Sequence, residues 1–407
     1  MIKRELYLKK IRPFMDKDLI KVLTGMRRSG KSVMLELIQS ELVCNGVDRD
    51  QFIHINFENL SYSHLCDAPS LHKEIIERVK KIEKKVYLFF DEIQEVTCWE
   101  KAVNSFRVEF DCDIYLTGSN ATLLSGELAT YLAGRYVEFV IYPFSFEEFT
   151  ALYHLSKPDA DSTRCFKQYL NFGGMPFLGN LNYQREASKQ YLIDVYNSII
   201  LKDIVKRSNI RDVDMLEKVI TYVLANIGQP FSATSISKFL KSENRKIAPE
   251  TILNYLKYCE DAYLFRRARR QDLIGKKIMQ INEKYYVMDH GLRQAIYGKN
   301  DRDINQILEN IVFMEALRRG YKVTVGKVGA KEIDFVCEEN SRQIYIQVAY
   351  TLGAPDSETD QREFGAYDTI KDNFPKYVVT MDTLDFSKKG IQHFNIIPFL
   401  QMKSWEV

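Results

Sequence analysis

Short apolar runs alternate with stretches of helical spacing through the first 150 residues of this chain. Ile20-Lys21-Val22-Leu23 is long enough for a buried parallel strand, and Val33-Met34-Leu35-Glu36-Leu37-Ile38 continues with helical spacing. Phe52 to Phe57 alternates like a strand, Leu71 to Lys85 is helical and charged, and Val86 to Phe90, Asp113 to Leu116 and Tyr136 to Ile141 read as further strands. Residues 1–19 read as a short helix broken at Pro13, with Ile11 to Phe14 either lining a base or simply packing. The alternation predicts an α/β fold with a parallel sheet.

The rhythm changes further on. Phe166 to Phe172 is helical, Gly173-Gly174-Met175-Pro176 is a sharp break, and Tyr191 to Val205 is amphipathic. Two short helices follow, Ala233 to Leu240 and Pro249 to Cys259, the second with Ile252, Leu256 and Cys259 on one face. Tyr263-Leu264-Phe265 then runs into Arg266-Arg267-Ala268-Arg269-Arg270, Lys276-Lys277 mark a turn, and Lys284 to Met288 returns, so residues 229–299 read as a winged helix. Residues 300–407 offer a helix, Leu308 to Leu317, and strands at Lys322 to Val325, Glu332 to Cys337, Gln343 to Ala349, Val378 to Thr380 and Ile391 to Ile397.

Two of the early runs carry chemistry. Between the first strand and helix lies Gly25-Met26-Arg27-Arg28-Ser29-Gly30-Lys31-Ser32, the P-loop spacing of Gly, four residues, then Gly-Lys-Ser. The glycines let successive backbone N–H groups and the helix N-terminus converge on a phosphate; Lys31 reaches the β- and γ-oxygens and the Ser32 hydroxyl serves Mg2+. Gly25, Arg28, Ser29, Gly30, Lys31, Ser32 and Val33 are therefore the candidate residues for binding a nucleoside triphosphate. Val86 to Phe90 ends in Asp91-Glu92, a Walker B pattern: Asp91 to hold Mg2+ through water, Glu92 to orient and activate the attacking water. Thr117-Gly118-Ser119-Asn120 ends the next strand, so Asn120, with Ser119 as runner-up, is a γ-phosphate sensor, a cap for the following helix, or both.

Composition narrows the class without deciding it. At 407 residues the chain exceeds one ordinary core, and 45% hydrophobic with 28% charged residues suits a folded soluble protein. A net charge of +2 leaves attraction to nucleic acid to local patches, of which Arg266, Arg267, Arg269 and Arg270, with Lys276 and Lys277, form the candidate for DNA phosphates; a solvated or protein-docking hairpin is the alternative. Seven scattered cysteines, none spaced Cys-x-x-Cys, suggest neither disulfides nor zinc. Nothing reads as a signal peptide or a membrane span, which makes a cytoplasmic location the expectation.

The ordered set of P-loop, Asp91-Glu92, Thr117-Gly118-Ser119-Asn120, Gly134-Arg135 and Pro143-Phe144-Ser145-Phe146-Glu147-Glu148-Phe149 resembles the prokaryotic AAA-type ATPases that carry a C-terminal, uncharacterised, nuclease-like domain. That resemblance implies ATP rather than GTP and a five-stranded parallel core of order 5-1-4-3-2 in residues 1–150. It further implies a helical lid and linker in 151–228 and, beyond the winged helix read in 229–299, a degenerate restriction-endonuclease-like domain in 300–407. It makes Arg135 a candidate arginine finger in a homo-oligomer, or else an intramolecular salt bridge, and the Gly173–Pro176 break either a neighbour of the nucleotide or a plain turn.

Active restriction-endonuclease-like sites present an Asp, then Glu-x-Lys on the next strand. Here Asp334 fits, with Glu309 as an upstream carboxylate, while Gln347 and Ala349 stand at the other two positions. Glu315 or Glu332 could replace the carboxylate and Lys331 the lysine, but none has the spacing, so the domain is expected not to cut and to bind DNA or protein. The function read from the sequence is ATP hydrolysis coupled to that module. The alternatives are a nucleotide-dependent switch with negligible turnover and an ATP-governed nuclease.

Overall fold

The computed structural model describes residues 2–405 apart from 125–131, 133, 243, 274, 276, 299, 330 and 355. Most of the stretch expected between Leu128 and Ala133 lies outside the described residues, as does Lys276. The chain divides into two compact units, Met1–Pro143 with Asp261–Tyr263, and Phe144–Glu260 with Leu264–Val407.

The first unit is built on β1 (Ile20–Thr24), β2 (Phe52–Asn56), β3 (Val86–Asp91), β4 (Cys112–Gly118) and β5 (Tyr136–Val140). They form one sheet of order β2-β3-β4-β1-β5, parallel throughout, which is the order the resemblance implies. The strands read as apolar runs because helices such as α1 (Glu5–Ile11), α2 (Lys31–Cys44), α3 (Ala68–Val79) and α4 (Trp99–Glu109) accompany them, as covered parallel sheets require. Leu71, Ile75, Trp99, Val103 and Phe106 pack with Leu88, Phe90, Ile114 and Leu116 in one core. Each such buried side chain contributes about 1.5–3 kcal/mol of transfer free energy.

One residue inside a strand is an exception to the apolar pattern. Lys21 is fully buried and pairs with Asp113, whose carboxylate also accepts from the Tyr115 hydroxyl at 2.8 Å. Ile11 is likewise fully buried, so the packing role is the one observed for it.

The second unit begins with helices α5 (Phe146–Ser156), α6 (Ser162–Phe172) and α7 (Arg185–Ser198), the last continuing as a π-helix over Ile199–Val205. Ser145 and Glu148 form a capping box that starts α5. The expected break after α6 is pinned inside this unit: Gly174 N donates to Asp289 at 2.7 Å, and a Cβ on Gly174 would stand 2.2 Å from the Phe144 carbonyl oxygen. Helices α8 (Val213–Ala225), α9 (Ala233–Ser242) and α10 (Pro249–Asp261) precede the hairpin of β6 (Phe265–Asp272) and β7 (Lys277–Val287).

That hairpin is not a free wing. After α11 (His290–Ile296) and α12 (Ile304–Arg319) come β8 (Lys322–Val328), β9 (Lys331–Glu339), β10 (Arg342–Val348), β11 (Lys376–Thr380) and β12 (Gln392–Asn395). Together they make a seven-stranded sheet, β12-β11-β10-β9-β8-β6-β7, in which Arg269 to Asp272 pair in parallel with Thr324 to Lys327. The sheet thus runs across the boundary expected at 299/300. A second correction concerns Ile391 to Ile397, read as one strand: it ends at Asn395, whose side chain accepts from Ile397 N and starts helix α13 (Ile396–Gln401).

Candidate nucleotide-binding site

The C-terminal ends of parallel strands share one edge, and there the first unit gathers its candidates. The loop after β1 turns at Gly25, with φ of 141°, where a Cβ would lie 2.3 Å from the Ile141 carbonyl oxygen; only glycine fits this approach. Gly30 caps α2 in the left-handed region at φ 97°. Arg28 and Ser32 are exposed, Val33 is 38% exposed and Ser29 is buried. The Ser29 hydroxyl has no hydrogen-bond partner among the described residues, as suits a loop shaped for a polar ligand.

Lys31 starts α2 and is nearly buried. Its ammonium donates to the Gly25 and Met26 carbonyls at 3.3 Å each and lies 3.6 Å from Glu92. These are long contacts for a charged donor.

Asp91, at the end of β3, accepts from Asn56 Nδ2 at 2.9 Å and from Thr117 Oγ1 at 2.5 Å. Thr117 in turn accepts from Glu92 N at 2.8 Å, so β2, β3 and β4 are tied at this edge by one polar chain. Glu92 sits in the left-handed region at φ 55°, a strained placement of the kind that clusters at functional sites. Burial pushes its carboxyl up, but Lys31, the Gln94 amide, Arg27 and Ser119 outweigh it and leave it below its ordinary value. Gln94 donates its amide to Glu92 while its own oxygen is buried without a partner among the described residues.

Asn120 is buried, and its side-chain oxygen accepts from Thr122 N and Oγ1 at 2.7 Å each. That is a capping contact, which is compatible with a sensor role, and Ser119 is hydrogen-bonded to Glu92. Arg135 precedes β5 at the opposite edge, where its carbonyl accepts from Ile20 N and its guanidinium donates to Asn104 at 2.8 Å. With roughly 3.3 Å per strand residue, β1 alone keeps it some 16 Å from its own P-loop.

Arg4 went unread in the sequence. Fully buried, it donates to the Ser29 carbonyl at 3.0 Å and the Tyr142 carbonyl at 2.8 Å and lies over the Tyr7 ring. No local pattern flags it, because its partners lie 25 and 138 residues away.

Comparison with known proteins now adds the family. Residues 17–150 match an AAA domain and residues 163–303 a domain of unknown function (DUF8612). An uncharacterized protein of Haemophilus influenzae is 40% identical over 383 residues, 93% of each chain, and uncharacterized protein MJ1544 of Methanocaldococcus jannaschii is 32% identical over 93% of this chain and 87% of its own. The chain belongs to their family, and its first unit is an AAA-type P-loop ATPase fold. The Walker-type ATPase PABY2304 of Pyrococcus abyssi shares that fold with a TM-score of 0.50 at 15% identity, over 72% of this chain and 95% of its own. The fold is a nucleotide-binding one. Among the described residues no helix is long and apolar enough to cross a membrane.

In the second unit the candidates sort differently. Glu309 on α12, Glu332 and Asp334 on β9, and Gln347 on β10 come together, whereas Glu315 is tied to Arg318 and Arg319 and Lys331 donates to Gly365 and Asp368. Ala349 is buried. Of the β6 arginines, Arg267 pairs with Glu260 and Glu283 at 3.2 Å each, Arg269 lies 4.0 Å from Glu283, and Arg270 pairs with Glu332 at 2.6 Å.

Proposed function

We propose that the first unit binds ATP with Mg2+ and hydrolyses it, and that the nucleotide state governs the binding activity of the second unit. The observation that supports this most directly is the shared strand edge on which a P-loop, its buried Ser29 hydroxyl unpartnered among the described residues, lies beside Asp91 and Glu92. Lys31 and the loop N–H groups would position the phosphates; Glu92, ionised and bonded to Ser119, would orient water. Ser32 and Asp91 would hold Mg2+, which supplies positive charge to the phosphate oxygens. Arg135 can serve only a neighbouring subunit's site, so its role as a finger requires a homo-oligomer.

Steady-state phosphate release by the full chain tests this, with turnover expected in the wild type and lost in Glu92→Gln. A specific observation favours a second reading, a switch with negligible turnover: Lys31 and Gln94 both restrain Glu92. Tight ATP binding with no phosphate release in wild type or Gln94→Ala would establish it.

For the second unit we propose a nuclease-like scaffold that does not cut and binds protein or DNA. The ion pairs on Arg267 and Arg270 weigh against the β6 arginines as a free phosphate-binding stripe. Incubation with Mg2+ or Mn2+ on supercoiled, linear and single-stranded DNA and on RNA is expected to give no product. Cleavage lost in Asp334→Ala would overturn this.

A further inference from the structure

The second unit contains a carboxylate cluster that a nuclease-like reading would assign to a divalent cation. With Lys284 among them, its residues do not fit one. Gln347, the neutral residue at the position of a ligand carboxylate, spends its side-chain oxygen on Asp334 N at 2.5 Å and its amide on Glu363 at 2.9 Å. One oxygen of Asp334 accepts from Val348 N at 2.9 Å, and Glu309 accepts from the Tyr286 hydroxyl at 2.5 Å. Among the described residues no group of three or more His, Cys, Asp or Glu side chains is disposed to hold a metal.

What lies among these carboxylates is Lys284. It comes from β7, the edge strand of the sheet, and its ammonium stands 3.0 Å from Glu309, 2.8 Å from Glu332 and 3.9 Å from Asp334. Its side chain is 5% exposed. An ammonium carries three hydrogen-bond donors and no acceptor, so Glu332 and Glu309 each take one of them at hydrogen-bond distance, Asp334 stands just beyond, and the positive charge offsets part of the negative charge gathered here. We propose that the Lys284 ammonium is the resident cation of this cluster, standing where a divalent ion would otherwise bind and fastening the β6–β7 hairpin to α12 and β9.

The electrostatics agree with the geometry. Burial works against the charged lysine, yet Glu309, Asp334 and Glu332 outweigh it and raise its pKa, so the cation is held at any physiological pH. Arg270 adds a second positive charge at Glu332. An ammonium already in place resists a second cation by direct repulsion across a few ångströms. The inference rests on the nuclease-like reading only for the identity of the missing metal. The lysine-for-metal arrangement is carried by the distances.

Mn2+ titration of the nucleotide-free full chain, followed by electron paramagnetic resonance and by melting temperature, tests it. The wild type is expected to show no bound Mn2+ that Asp334→Asn removes. Lys284→Ala is expected to melt roughly 5 °C or more below the wild type. It should also gain about one Mn2+ per chain, lost again in Lys284→Ala/Glu309→Gln, since it exposes the two or three carboxylates a hard cation needs. Mn2+ bound by the wild type and lost in Asp334→Asn overturns the proposal, as does a folded Lys284→Ala chain that takes up none. Should Lys284→Ala fail to fold, the wild-type measurement decides alone. Nucleic-acid cleavage without cluster-bound Mn2+ would instead count against the non-cutting reading and leave this one standing.

Discussion

Lys31 and Lys284 are both nearly buried lysines facing carboxylates, and they are held in opposite ways. The Lys31 ammonium has two carbonyls at 3.3 Å and Glu92 at 3.6 Å, beside a Ser29 hydroxyl and a Gln94 oxygen without partners among the described residues. Lys284 has Glu332 at 2.8 Å and Glu309 at 3.0 Å, the latter also bonded by Tyr286, with both ends of the nearby Gln347 amide in use. Slack contacts leave an ammonium free to exchange them for a ligand's oxygens; short, saturated ones make it part of the protein's own charge balance. The first arrangement is what a binding site needs. The second is a lock.

The largest effects expected from breaking this contrast lie on the slack side. Glu92→Gln should lower turnover by about 10^2- to 10^4-fold while the nucleotide still binds, because it removes the water-orienting carboxylate and leaves the phosphate cradle intact. Single-turnover kinetics beside a filter-binding measurement would check both halves. Lys31→Ala should lose nucleotide binding with a smaller fall in melting temperature than a change at Lys284 gives, since its contacts with Glu92 and the loop carbonyls are long. On the locked side the order reverses. Lys284→Met should cost the second unit about 3–5 kcal/mol by stranding buried carboxylates, and should leave nucleotide affinity unchanged. Chemical denaturation paired with nucleotide titration would separate the two outcomes.

Arg4 offers a smaller effect that sharpens the same point. It fastens the P-loop through the Ser29 backbone carbonyl. Arg4→Met should therefore weaken nucleotide binding by about tenfold, equivalent to one charge-assisted hydrogen bond, and leave the rate of the bound complex alone. A change in the single-turnover rate with unaltered affinity would contradict a positioning role.

What the sequence disclosed follows the range of the interactions involved. The P-loop and Asp91-Glu92 were legible because their chemistry is written within one strand, one loop and one helix, and the parallel core was legible because covered strands are continuous apolar runs. Gln94 shapes Glu92 but carries no motif of its own, and Thr117, though it opens the Thr-Gly-Ser-Asn motif, gave no sign that it would bond Asp91. Arg4 and Lys284 were invisible for a different reason: their partners lie on other elements, 25 to 138 residues away along the chain. The hairpin misled because an arginine-rich alternation looks like a free wing, whereas Arg267 and Arg270 are neutralised by Glu260, Glu283 and Glu332 and β6 pairs with β8. In Ile391 to Ile397 the apolar residues outweighed a local signal that was present, an Asn cap followed by Pro398 in the first helical turn.

The smallest expected effect is a pH dependence whose sign differs between the two regions. Glu92 is held below its ordinary value of 4.5, chiefly by Lys31 acting against burial. A carboxyl depressed in the folded state adds stability that is complete above its unfolded pKa and is lost as pH falls through the folded one. Asp334 is pushed the other way, by burial and by Glu309 against Lys284, well above its ordinary 3.8. Its contribution is complete below the unfolded pKa and fades as pH rises through the folded one. The stability difference between wild type and Glu92→Gln should thus be level from pH 6 to 8 and shrink below about 4.5, whereas Asp334→Asn should gain on the wild type as pH rises. Denaturation midpoints of the three chains across pH 4 to 8 would show it. Parallel curves for the two variants would mean that both carboxylates sit in equivalent surroundings, and the distinction between slack and locked lysines would fail with them.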